Sequence, residues 1–169
     1  MIIAGHNKKI LREFHDSKVK RNQPQSLCNC QKRNECPLNG KCQTYDVLYK
    51  GTCTTNDQVS KDYHGICATT FKIRYGNHKT AFKNENCKQS TTLSKYYWKT
   101  KKEGKNPSIK FNITKVVKSY TPESGRCGLC TAEKLAILKA DPKITLNSRN
   151  EVMAKCRHKA KYLLDSFKT

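Results

Sequence analysis

No stretch of this chain is apolar for long enough to cross a bilayer, and no internal repeat or low-complexity tract interrupts it. A membrane span and a repeat array are therefore excluded. At 169 residues, the expectation is one ordinary domain with at most a small appendage. Acidic side chains are scarce, 13 against 34 lysines and arginines, which leaves a formal charge of +21. The excess runs the whole length, from Lys8-Lys9 through Lys101-Lys102 to Lys159 and Lys161. Such a chain repels itself unless polyanions gather on it. The cationic segments also lack the broad apolar face of a membrane-surface helix, so the expected partner is nucleic acid and not a membrane. A secretory leader is missing from the start as given, where Met1-Ile2-Ile3-Ala4 gives way at once to Gly5-His6-Asn7-Lys8-Lys9. An intracellular protein with reduced cysteines is expected.

What the chain does have is cysteine, ten in all. In a secreted protein these would form disulfides, and in an intracellular one they would serve as thiolates on zinc. Cys28, Cys30, Cys36 and Cys42 read C-x-C-x5-C-x5-C, with Pro37 and Gly40 to turn the chain, so three or four sulfurs could converge on a tetrahedral ion. Cys127 and Cys130 form a C-x-x-C knuckle, and Cys156 with His158 could supply the remaining ligands. Two spacings pull the other way. A C-x-C pair strains to give both sulfurs to one ion, and Cys156 and His158 on a regular helix would face different sides. One ion, two ions, or a single site shared by both groups all remain open. Cys53, Cys67 and Cys87 read as small buried apolar side chains.

Residues 1–26 are polar and basic and read as a flexible arm, with a short helix around Ile10 to His15. A cysteine-rich module follows over 27–45, and residues 46–169 form the main domain. Val47 to Thr52 and Ser60 to His64 are the expected strands of a hairpin turned by Asn56-Asp57, which brings Tyr49 and Tyr63 together. Phe71, Tyr75, His78 and Phe82 recur at helical spacing; Ser90 or Thr91 caps a second helix carrying Leu93, Tyr97 and Trp98. Ile109, Phe111 and Ile113 alternate as a third strand until Pro122 and Gly125 break the pattern. Thr131 is the expected cap of a helix holding Glu133, and a last helix from about Ser148 packs Val152, Met153, Leu163 and Leu164 inward. The fold class is α+β: a small antiparallel three-stranded sheet flanked by helices, with cysteine-rich, zinc-binding additions.

Arg74 and His78, four residues apart on one helical face, project toward whatever Tyr63 faces. Taken singly, each candidate has an ordinary reading: Glu133 as a first-turn acid, His78 as a satisfied helical histidine, Arg74 as a surface cation, Asn147 as a cap. Their order, Tyr49, Tyr63, Arg74, His78, Glu133, Asn147, resembles the GIY-YIG nuclease family. Val47-Leu48-Tyr49 stands where that family has GIY, and Tyr63-His64-Gly65 stands where it has YIG. His64 replaces the usual isoleucine, and Ile73 occupies a place often basic in relatives. With CNCQKRNECPLNGKC upstream and CGLCTAEK and KCRHKAKYLL downstream, the stretch Cys28 to Leu164 is similar to the endonuclease end of Penelope-like retroelements.

The resemblance implies a nuclear, metal-dependent DNA endonuclease that nicks target DNA for a linked or separate reverse transcriptase, with a dimer on DNA where paired nicks are made. It implies Mg2+ or Mn2+ on Glu133, Tyr49 as general base or orienter of the nucleophilic water, and Arg74 on the scissile phosphate. His78 would relay the tyrosine proton, Tyr63 would hydrogen-bond water or phosphate, and Asn147 would tie the site together. Two other classes compete: a catalytically inactive, zinc-stabilised DNA-binding module, and a secreted cationic disulfide protein.

Overall fold

The computed structural model describes residues 27–121 and 124–158. The expected arm over 1–26, its short helix, and Leu163 and Leu164 lie outside the described residues. The sheet has three strands, β1 (Val47–Thr54), β2 (Ser60–Cys67) and β3 (Ser108–Val116), in the order β2-β1-β3 with both pairings antiparallel. The α+β class and the small antiparallel sheet are as the sequence indicates. Both hairpin strands run a few residues longer than expected, because Cys53 and Cys67 continue the buried alternation.

Helix α1 (Phe71–Lys83) and helix α2 (Thr92–Lys102) follow the hairpin, and α3 (Gly128–Lys139) comes after β3. Thr91, one of the two expected caps, closes α2 through a capping box with Ser94. The start of α1 is satisfied differently. Its N-cap Thr70 makes no side-chain cap bond; instead the Phe71 and Lys72 amides donate to the carbonyls of Thr44 (3.2 Å) and Cys42 (2.8 Å). The cysteine module thus caps the helix that carries Arg74 and His78. Leu38 of the module also enters the main core with Val47, Tyr49, Phe71, Leu93 and Phe111.

Tyr49 is the hub of that core. Its ring lies 5.0 Å from Phe71, 5.8 Å from His78, 6.0 Å from Phe111 and 6.3 Å from Tyr63, centroid to centroid. The register pairs Tyr49 with Gly65 and Tyr63 with Gly51, so both tyrosines stand on one face, each opposite a glycine. A Cβ on Gly65 would come within 2.6 Å of the Tyr49 hydroxyl and 2.8 Å of the Tyr63 ring. Gly65 is there to let the phenols approach, not to make a turn.

Several expected boundaries move. The last described helix begins at Gly128, not at Thr131; Cys127 is its N-cap, and Thr131 lies inside, its hydroxyl donating to the Cys127 carbonyl at 3.0 Å. Glu133 therefore sits in the second turn. A two-stranded sheet, β4 (Tyr120–Thr121) with β5 (Arg126–Cys127), delivers Cys127 to that helix start. The expected closing helix is a short 3-10 turn over Arg149–Met153, capped by Ser148, with Met153 84% exposed and not packed inward. Residues 154–156 are not helical. Segment 144–147 instead runs along the outer edge of β2: the Asp62 amide donates to Ile144 O (2.8 Å) and the Leu146 amide to Asp62 O (2.7 Å). Among the described residues, no helix is long and apolar enough to cross a membrane.

Candidate functional site

Arg74 projects from the first turn of α1 between the two tyrosines. Its Nε donates to the Tyr49 hydroxyl at 2.9 Å, and it hydrogen-bonds with Tyr63 as well. One turn on, His78 Nε2 lies 2.8 Å from the Tyr49 hydroxyl. Because the guanidinium occupies the phenolic oxygen as a donor, the phenolic proton is directed at His78 Nε2, which then accepts. Burial, reinforced by the Arg74 charge, pushes the His78 imidazole down to about 3, so it is neutral at physiological pH and able to accept. Burial also raises the Tyr49 phenol, and repulsion from Tyr63 adds to this, while the charge and hydrogen bond of Arg74 pull against it. Tyr63 is raised chiefly by burial, with Arg74 opposing.

A cavity of about 510 Å3 opens beside this chain of bonds. Tyr63, Arg74, Glu133 and Glu151 line it together with the cations Lys95 and Arg157. Tyr49 and His78 stand behind that wall, both almost wholly buried. Burial pushes the Glu133 carboxyl up to about 7, repulsion from Glu151 adds to this, and Arg74, Arg157 and Lys134 oppose it. Glu151 is held firmly. Its Oε1 accepts from the Ser148 amide at 2.9 Å and its Oε2 from Asn147 Nδ2 at 3.0 Å.

Asn147 grips β2 in both directions, its Oδ1 accepting from the His64 amide at 2.7 Å and its Nδ2 donating to the His64 carbonyl at 2.9 Å. It is a brace rather than a cap. Five of the six sequence candidates thus form one connected group around Tyr63 and Arg74 on the cavity wall, and Asn147 joins through Glu151. Glu151 is the residue that sequence reasoning missed. Its visible signal was the Ser148-x-x-Glu151 capping box, which marks a helix start but not a cavity.

A raised carboxyl has a definite sign in a stability measurement. The folded chain keeps the Glu133 proton up to about pH 7, whereas an ordinary carboxyl of 4.5 releases it earlier, so stability falls as pH rises across that window. Glu133→Gln is expected to exceed the wild type in stability at pH 8.5 by on the order of 2 kcal/mol, and by much less at pH 5.5. Calorimetry of both proteins without added divalent cation checks this, since the shared effect of pH on the thiols cancels in the difference. An advantage that is the same at both pH values would contradict the assignment.

Two clusters could hold a metal ion: Cys28, Cys30, Cys36 and Cys42, and separately Cys127, Cys130, Cys156 and His158. Within each, the ligand atoms all lie within 4.8 Å of one another. In the first, Cys42 Sγ is 3.6 Å from Cys30 Sγ and 3.7 Å from Cys28 Sγ. Those are near the edges, about 3.8 Å, of a tetrahedron with arms of about 2.3 Å. Burial opposes ionisation of Cys36, but backbone hydrogen bonds from Leu38 and Gly40 outweigh it and bring this thiol down to about 6. The turn Pro37 to Gly40, with Asn39 and Gly40 at positive φ, supplies those donors. In the second cluster, His158 Nδ1 lies 3.4 Å from Cys127 Sγ and 3.3 Å from Cys130 Sγ, and Cys130 and Cys156 are 3.5 Å apart.

Both reservations drawn from spacing are thereby removed. The C-x-C pair converges with its partners, and Cys156 and His158 turn to the same side because residues 154–156 are not helical and the chain bends at Arg157. The two groups are distinct sites and not one shared site. None of the ten cysteines is in a disulfide. Cys53 and Cys67 are buried as expected, but Cys87 is only half-buried. Comparison with protein-family models, curated proteins and solved structures yields no match to this chain.

Proposed function

We propose that this chain is a metal-dependent DNA endonuclease of the GIY-YIG type, acting in the nucleus as part of a retroelement. The observation that carries the reading is the meeting of Tyr63, Arg74 and Glu133 on one cavity wall, with Tyr49 and His78 hydrogen-bonded directly behind Arg74. Arg74 spends one N–H on Tyr49, and its remaining donors suit a scissile phosphate beside Tyr63. Tyr63 would orient the attacking water, and Tyr49 and His78, hydrogen-bonded to each other behind Arg74, hold the guanidinium in position.

Glu133 is the fitting ligand for one Mg2+ or Mn2+, because a carboxyl destabilised by burial and by Glu151 gains from a divalent cation; that ion would polarise the phosphate and stabilise the leaving oxygen. The two cysteine clusters are read as structural zinc sites, on ligand type and tetrahedral spacing. DNA is the substrate, a reverse transcriptase of the parent element the partner that extends the exposed 3′ hydroxyl, and two copies would serve paired nicks.

A second reading, an inactive zinc-stabilised DNA-binding module, is favoured by one observation: Tyr49 is fully buried and does not reach the cavity. Nicking of supercoiled plasmid by zinc-replete protein separates the two. The nuclease reading expects Mg2+- or Mn2+-dependent relaxation that disappears in Glu133→Ala and when the divalent cation is omitted. Salt-sensitive binding without scission selects the inactive module.

A further inference from the structure

The second metal cluster is not remote from the cavity. Cys130 and His158 stand in its wall, and Cys130 lies one turn before Glu133 on α3. The segment Lys155-Cys156-Arg157-His158 alternates cation and metal ligand. Cys156 and His158 reach toward Cys127 and Cys130, and Lys155 and Arg157 line the cavity beside His158. The chain bends at Arg157, between Cys156 and His158, so where those two residues are held sets the backbone on both sides of it.

Arg157 is close enough to Glu133 for its charge to act on that carboxyl, alongside Arg74 from the other wall. Yet its side chain is exposed at the cavity, and residues 154–157 form no helix or strand. A long, solvated guanidinium on irregular backbone would ordinarily sample many positions, at a cost of about 2 kcal/mol of rotamer freedom on being held. A metal ion held by the two neighbouring residues would confine the backbone on both sides of Arg157.

We propose that Arg157, held between two ligands of the second cluster, is a phosphate-binding residue for nucleic-acid backbone, and that metal at that cluster sets its position. Arg74 addresses the reacting phosphate and Arg157 a neighbouring phosphodiester across the same cavity. Lys155, next in the alternation, extends the same cationic edge. The inference rests on the nucleic-acid reading of this cavity but not on catalysis, because it concerns binding.

The test is fluorescence anisotropy of the full chain with a labelled DNA duplex in Ca2+, over a series of salt concentrations, with metal content measured on each protein. Arg157→Ala is expected to bind about fivefold or more weakly at about 0.1 M salt, with the slope of log affinity against log salt reduced by about 1, and with wild-type metal content and melting temperature. Arg157→Lys is expected to restore the slope. Cys156→Ala is expected to lose one equivalent of metal and to weaken binding by the same factor as Arg157→Ala, with no further loss in the double variant. Cys156→His, which keeps a ligand, is expected to retain both metal and affinity.

Wild-type affinity and slope in Arg157→Ala would overturn the proposal, as would additive losses in a folded double variant. If Cys156→Ala does not fold, the Arg157→Ala and Arg157→Lys pair still decides whether Arg157 binds phosphate, and Cys156→His decides the dependence on ligation. Binding that depends on Arg157 without any plasmid nicking would support this inference and sink the nuclease. No binding of DNA by the wild type would sink both.

Discussion

Cys42→Ser is expected to lose one equivalent of bound metal and to lower the melting temperature by well over 10 °C. The reason lies in what the first cluster buries. Cys28, Cys36 and Cys42 form a separate small core with Cys30 packed against it, so its interior is made of sulfur. Four side chains of that size cannot offset the ordering of a 19-residue turn-rich segment, residues 27–45, by apolar burial alone. Metal ligation can, since structural zinc contributes on the order of 10 kcal/mol in small zinc modules. Loss of the module propagates, because the carbonyls of Cys42 and Thr44 cap the start of α1 and Leu38 sits in the main core. Elemental analysis with thermal denaturation checks this. An unchanged melting temperature in a protein that has lost the metal would refute the structural role.

Arg74→Ala is expected to reduce plasmid nicking by about 10^3 while the protein stays folded. Removing a preorganised donor from a water-poor site costs roughly 3–4 kcal/mol of transition-state stabilisation. Here the same change also takes away the hydrogen bonds to Tyr49 and Tyr63 and the positive charge that opposes their upward shifts. Arg74→Lys should recover little, since an ammonium cannot bridge two phenols and a phosphate with fixed fork geometry. Single-turnover nicking at saturating protein, with circular dichroism as the folding control, decides it. Activity within tenfold of wild type would remove Arg74 from the site.

Much of this arrangement could be read from the residues. The alternation that places Tyr49 and Tyr63 on one face, the helical spacing of Arg74 and His78, and the cysteine spacings are local patterns, and local patterns survive into the fold. What could not be read depends on partners distant in sequence. Cys127 displaces Thr131 as helix cap because β4 and β5 deliver it to the start of α3. Cys156 and His158 face one way because their segment is tethered to Cys127 and Cys130 some 26 to 31 residues earlier. Glu151 becomes a cavity residue only after Asn147 has clasped the backbone of His64, 83 residues away. Val152 and Met153 read as part of a closing helix, but between the Ser148–Glu151 capping box and the cluster at Cys156 the described chain makes only a 3-10 turn.

The segment 144–147 along β2 bears on how copies of this chain can associate. With that side occupied by the chain's own backbone, β3 is the remaining boundary of the sheet among the described residues, and exposed Lys110 and Lys115 guard it. A second copy pairing on that margin would lie β3 against β3 about a twofold axis. In such a pair both β3 margins are closed, and segment 144–147 lies across β2 at Asp62 on the far side of each sheet.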